Sequence, residues 1–180
     1  ISLVIFLFSC QPPQKALTKS WQGFDIDFTQ LKEITNVYHM FDSTNTKVGS
    51  MVFSFAFENG FLVCRDTSRF DNGSVFETVE ITFDTASFQI KNLSLDMQTR
   101  SATLNIDLAV AGDQIKGAYV VKQDTLSTTY EIDSAYQHSA FREEIYMFTH
   151  ALNLKLKDTL AIEALVATSM TVSKGRLIYT

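Results

Sequence analysis

The run VGSMVFSFAFENGFLVCRD, residues 48 to 66, constrains the fold more tightly than any other part of the chain. Met51, Phe53, Phe55 and Phe57 alternate with Val52, Ser54, Ala56 and Glu58, a period of two that puts the first four on one face of a strand. Asn59-Gly60 follows at once, and this dipeptide favours a two-residue hairpin turn because both central residues must adopt positive φ. A turn of that length dictates the register. Glu58 pairs with Phe61, Phe57 with Leu62, Phe55 with Cys64, and Phe53 with Asp66. Cys64 therefore shares the Phe-rich face, where a thiol acts as a small buried hydrophobe, and Arg65 points the other way. Asp66 is expected near the open end of the hairpin, in water.

The same rhythm continues downstream. Asp71-Asn72-Gly73 marks a turn, and Val75, Glu77, Val79, Ile81 and Phe83 share one face. Phe88 and Ile90 are even-numbered whereas Leu93, Leu95 and Met97 are odd, so a β-bulge or short break is expected around Lys91-Asn92. Ala102 to Val110 alternates cleanly, Ala111-Gly112-Asp113 turns, and Ile115 to Val121 and Leu126 to Ile132 supply two more strands. Leu160 to Val166 and Met170 to Tyr179 read as strands, as do Phe24 to Phe28 and a segment opening at Val37. Phe141, Ile145, Phe148 and Leu152 recur instead at helical spacing, with Ser139 as the expected N-cap. The predicted fold is mainly β. An antiparallel meander forms a strongly curved sheet or incompletely closed β-barrel, with one amphipathic helix packed on its concave side. Residues 21–180 are expected to form a single β-rich domain.

Chemistry is harder to find. His39, His138 and His150 show no metal-ligand spacing, and no nucleophile elbow, phosphate loop or dinucleotide fingerprint occurs. Glu143, Glu144 and His150 on the helix read as a solvated first turn and a favourable last-turn residue. Glu77, Glu80 and Asp84 read as outer-face charges. A net charge of −5 and scattered Lys and Arg give no basis for nucleic-acid binding. No enzyme activity and no cofactor are expected. The positive feature is a surplus of aromatic residues, fifteen Phe in 180 residues. Met51, Phe53, Phe55, Phe57 and Leu62 on the sheet, with Phe141, Ile145 and Phe148 on the helix, are the candidate lining for a lipid or acyl chain. The alternative for these eight is that they form an ordinary core.

The N-terminus suggests an address. Ile1 to Phe8 is apolar except for Ser2, too short for the about 20 residues of a spanning helix but suited to a signal-peptide remnant over residues 1–9. Leu7-Phe8-Ser9-Cys10 resembles a bacterial lipobox, in which the Cys is diacylated and becomes the mature N-terminus. Residues 10–20, with Pro12 and Pro13, then form the lipidated tether. Gln11 after the Cys implies, by resemblance to bacterial lipoproteins, an outer-membrane anchor, and the lack of an acidic run favours the periplasmic side. The chain starts at Ile1 and stops at Thr180 after the apolar Leu177-Ile178-Tyr179, so a longer parent, with further C-terminal strands, is expected.

Four short stretches carry a family resemblance: Val48-Gly49-Ser50, Asp66-Thr67-Ser68, Gly73-Ser74-Val75-Phe76-Glu77-Thr78 and Phe141-Arg142-Glu143-Glu144-Ile145-Tyr146. In their order and spacing the region from about residue 45 to 180 resembles a family of exported bacterial β-rich proteins of unknown function. That family is thought to share the open β-barrel of the lipoprotein carriers and receptors of the Lol system. The resemblance implies a membrane-tethered lipoprotein holding a lipid or other apolar ligand, or one that binds an envelope protein through its outer face. It assigns no functional residues.

Overall fold

A computed structural model describes residues 18–21, 24–112, 114–135, 140–152, 155, 157, 159–167 and 171–178. Cys10, its apolar leader, Ser139 and His138 lie outside the described residues. A short antiparallel hairpin opens the chain, β1 (Thr18–Trp21) and β2 (Phe24–Asp27). Its first strand begins inside the stretch assigned to the tether. A 3-10 turn at Phe28–Gln30 leads to eight consecutive strands: β3 (Ile34–Phe41), β4 (Lys47–Glu58), β5 (Phe61–Phe70), β6 (Val75–Asp84), β7 (Ile90–Thr99), β8 (Thr103–Ala111), β9 (Gln114–Gln123) and β10 (Leu126–Ala135). They form one antiparallel sheet in sequence order, with β3 and β10 at its two edges, so the sheet is not closed.

Local chemistry explains the register. Asn59 and Gly60 adopt φ of 50° and 84°, and the β4–β5 ladder carries the pairs Glu58–Phe61, Phe57–Leu62, Phe55–Cys64 and Phe53–Asp66 expected from the turn. The parity change in β7 is a bulge. Thr82 pairs with Asn92 but Phe83 pairs with Ile90, which leaves Lys91 as the extra residue. Gly117 is required by close approach, because a Cβ there would lie 2.0 Å from the Asp107 carbonyl oxygen on β8.

Continuous pairing lines up the inward side chains in transverse rows. One row runs Ile34, Phe55, Cys64, Ile81, Leu93, Leu108, Gly117, Ile132 and is almost wholly apolar. The next begins Asn36, Phe53, Asp66, Val79, and the third begins Tyr38, Met51, Ser68, Glu77. Polarity on the inner face is thus concentrated on β5 and β6 in the second and third rows. Inward residues from all eight strands meet in a single core, so the sheet curves around what covers it.

That cover is α1 (Arg142–Ala151), between the two-residue strand β11 (Ala140–Phe141) and a final hairpin, β12 (Thr159–Val166) and β13 (Thr171–Ile178). The last three strands do not extend the meander. They form a separate sheet in which β11 runs parallel to β12. The helix is capped by Phe141 rather than Ser139. Phe141 has no side-chain acceptor, and the Glu144 carboxylate instead accepts the Phe141 backbone N–H at 2.8 Å. No helix among the described residues is long and apolar enough to cross a membrane.

Candidate functional site

The structure brings seven of the eight candidate lining residues together. Met51, Phe53, Phe55, Leu62, Phe141, Ile145 and Phe148 are all buried in the one core beneath α1. Phe57 is the exception. It has the inward parity of its neighbours, but the β3–β4 ladder ends at the Ile34–Phe55 pair, so no β3 residue flanks it, and it is 45% exposed. The seven side chains pack on each other and on the helix. Phe53 meets Phe55 edge-on at 6.2 Å between ring centroids and Tyr146 at 5.5 Å, while Phe55 meets His150 at 5.8 Å. Phe148 reaches Phe28, which itself stacks on Phe88 at 4.0 Å. Each fully buried Phe contributes about 1.5–3 kcal/mol of transfer free energy.

These contacts also give the direction of the helix. His150 sits over the apolar first row, within 3.4 Å of the Asn36 side-chain amide, whose N–H donates to Nε2. Burial lowers the His150 pKa, in keeping with an imidazole that accepts that bond. Arg142, at the other end, sits over the polar second and third rows. Its Nη2 lies 2.8 Å from Asp66 Oδ2, 2.6 Å from Glu77 Oε1 and 2.8 Å from Glu143 Oε1.

This ionic cluster corrects three sequence expectations. Asp66 is 1% exposed rather than solvated, because α1 covers the end of the hairpin where it was expected to meet water. Glu143 and Glu144 are 4% and 1% exposed rather than a wetted first turn, since the turn they occupy is pressed against the sheet. Glu77 points inward to Arg142, whereas Glu80 stays on the outer face and binds Arg65. Burial raises the pKa of Asp66, against the opposing pull of Arg142 and of the Ser68 hydroxyl, which donates to Oδ1 at 2.9 Å. Burial likewise raises Glu143, again opposed by Arg142. For Arg142 burial works against its charge, but Glu143, Asp66 and Glu77 outweigh it and keep the guanidinium protonated.

Cys64 is a free, fully buried thiol under the same helix. Burial, with Glu143 and Glu144 nearby, pushes its pKa far above the ordinary thiol range, so the thiolate nucleophile is not formed there. Among the described residues no group of three or more His, Cys, Asp or Glu side chains is arranged to hold a metal ion.

Among the described residues, the outer face carries shallow grooves of about 390 Å³ and about 310 Å³ that share Thr78 and Asp96. The first includes Arg65 and Glu80, and the second Phe76 and Asn105. Alternation accounts for most of the separation: outward-parity residues such as Arg65, Glu80, Ser94 and Asn105 make up most of the groove lining. Comparisons with protein-family models, with curated proteins and with solved structures found no match to this chain.

Proposed function

We propose that the protein is a cell-envelope lipoprotein, tethered to the periplasmic face of the outer membrane through acylated Cys10, that holds a lipid, acyl chain or other apolar ligand on the inner face of its sheet. One observation carries the ligand part of this reading. Four candidate residues, Met51, Phe53, Phe55 and Leu62, form an apolar face inside an open sheet, and the only α-helix among the described residues, carrying Ile145 and Phe148, covers it. An incoming chain would take the place of α1 against Phe53 and Phe55, gaining about 0.8 kcal/mol per buried methylene. The sequence resemblance to a family thought to share the open β-barrel of the Lol-type carriers is in keeping with this reading.

Native mass spectrometry and solvent extraction of the purified full chain test it. The expected result is a co-purifying lipid that is lost from Phe55→Asp, with circular dichroism showing that the variant keeps its strands. A chain free of extractable lipid that also fails to bind added fatty acid overturns it. Labelled palmitate tests the anchor separately, with incorporation expected in the parent chain and none in Cys10→Ala.

The close packing of the seven residues favours a second reading, a dry-cored interaction protein that works through its outer face. It predicts an envelope partner captured by crosslinking in cells. Capture should be lost on substituting Phe76 and Asp96 in the outer grooves, and retained in a folded variant of the inner face.

A further inference from the structure

The two edges of the main sheet are not alike. β3 is broken by a bulge between Met40 and Phe41, whereas β10 pairs with β9 through ten consecutive residues without an irregularity. Sheet edges are commonly protected by Lys, Pro, a bulge or a covering element, and β10, LSTTYEIDSA, has no Lys, Pro or bulge. Every residue from Leu126 to Glu131 is exposed, with Leu126 at 74% and Tyr130 at 45%, although both have the parity of the inner face. The Asp124-Thr125 loop has two residues, so Leu126 exchanges both ladder bonds with Gln123. Alternation then directs the N–H and C=O of Ser127, Thr129, Glu131 and Asp133 to the free side of the strand. Among the described residues no strand takes them up.

Charge selects the occupant. On the outer face Glu131 lies in a row with Ala118, Asp107 and Ser94, which holds no cation, while Lys122 lies beside Ser127. Lys116 binds Asp133 at 3.7 Å, but neither Glu131 nor Lys122 has an ion pair among the described residues. A second β10 laid antiparallel, with Thr129 facing its own counterpart, sets the partner's Glu131 opposite Ser127 and so in the row of Lys122. The two charged residues are then two strand spacings, about 10 Å, apart with only a serine between them, a gap their side chains can span. The two-fold axis supplies this pair twice. On the inner face the same register sets Tyr130, stacked on Tyr119 at 4.5 Å, against the partner's Thr128, and Leu126 against the partner's Ile132. Centring on Thr128 instead moves the partner's Glu131 away to Thr125. Centring on Tyr130 puts the partner's Asp133, already bound to Lys116, in its place. We propose that β10 pairs in the Thr129-centred register with β10 of a second copy, joining two sheets into one with their inner faces on the same side. The dimer depends on neither the lipid anchor nor an apolar ligand.

The full chain carrying Cys10→Ala, in which acylation cannot hold copies together, tests it. Sedimentation equilibrium is expected to show a monomer–dimer equilibrium. Thr129→Lys sets two like charges on the axis. Thr129→Pro removes an N–H that faces the free edge, a place where a strand tolerates Pro. Both variants are expected to be monomeric with the circular dichroism of the parent. Lys122→Glu is expected to weaken the dimer about fivefold, and adding Glu131→Lys to restore it. Nitroxide labels on Thr129→Cys, with Cys64 shielded in the core, are expected to broaden each other's spectra, whereas labels on Thr35→Cys of β3 are not. A chain that stays monomeric up to its solubility limit overturns the proposal. So does a dimer that survives both Thr129 variants or leaves the labels at position 129 unbroadened. A charge swap that fails to restore association also overturns it, as does crosslinking from position 129 in cells to a different chain. None of these readouts depends on co-purified lipid, so the dimer and the ligand reading fail separately.

Discussion

Arg65 and Arg142 hold carboxylates on opposite faces of the same sheet, and consecutive residues of β5 reach them. Arg65 itself points outward and binds Glu58 and Glu80, while Asp66 next to it points inward to Arg142. The two sets have similar ion-pair distances, yet their environments differ. The outer pairs have side chains between 40% and 47% exposed, so water and salt screen them. The inner set buries Asp66 and Glu143 almost completely, Glu77 largely, and leaves Arg142, at 42%, the most open to solvent. Contact geometry alone does not set the value of an ion pair. Where solvation has been lost, removing one partner strands the others.

The largest expected effect is therefore at Arg142. Arg142→Met leaves Asp66 and Glu143 without their cation. It should destabilise the fold by about 3 kcal/mol, the low end for a broken buried pair because Arg142 is partly wetted and the acids can protonate. Urea unfolding measures this. Labelling of Cys64 by a thiol reagent should accelerate in the same variant, since that thiol is covered by α1. Wild-type stability accompanied by a protected Cys64 would put the two arginines on an equal footing and break the contrast.

A double variant sharpens it. In an Asp66→Asn background Arg142→Met should cost at least about 1 kcal/mol less than alone, because one of the stranded charges has gone. Additive costs would mean that the cluster does not act as a unit.

The contrast between the two arginines was partly legible in the sequence. Alternation and the Asn59-Gly60 turn are local signals, and from them the β4–β5 register and the outward aim of Arg65 followed. The β7 bulge was equally visible in the change from Ile90 to Leu93. Glu77 and Asp66 were both at inward parity, and two carboxylates on the core face of neighbouring strands demand a cation. The sequence does not say which one, because Arg142 lies 65 residues beyond Glu77 and reaches it only once the helix docks. Glu143 and Glu144 were misread for the same reason: an acidic first turn looks solvated until a sheet is laid against it. Phe57 failed in the opposite sense. Parity aimed it inward, but parity does not say where the neighbouring strand ends, and β3 stops at the Ile34–Phe55 pair.

Acid and base should separate the two clusters by sign. Asp66 and Glu143 have raised pKa values in the fold, so the folded protein binds more protons than the unfolded chain once pH exceeds the ordinary carboxylate range. Their contribution is complete below that range and is lost as pH rises through the folded values. Glu58 behaves in reverse. The hydrogen bond from Arg65 lowers its pKa, so its contribution is present above the ordinary value and is lost as pH falls through the folded one. Stability curves of Asp66→Asn and Glu58→Gln, each subtracted from wild type, should slope in opposite directions. Slopes of the same sign would refute the assignment of burial as the deciding variable.

The smallest effect is expected at Arg65. Arg65→Ala breaks three hydrogen bonds on the outer face, two to Glu58 and one to Glu80, which taken as a count would make it as damaging as Arg142→Met. Solvation argues otherwise. Once the guanidinium is gone, both carboxylates recover water at little cost, and the two long side chains regain rotamer freedom that the pairing had restricted. The folding equilibrium constant should change by less than about threefold, and high salt should erase even that. A larger loss that survives high salt would show that Arg65 supports the sheet by packing its aliphatic stem across the outer face, a role that Arg65→Met would restore and Arg65→Ala would not.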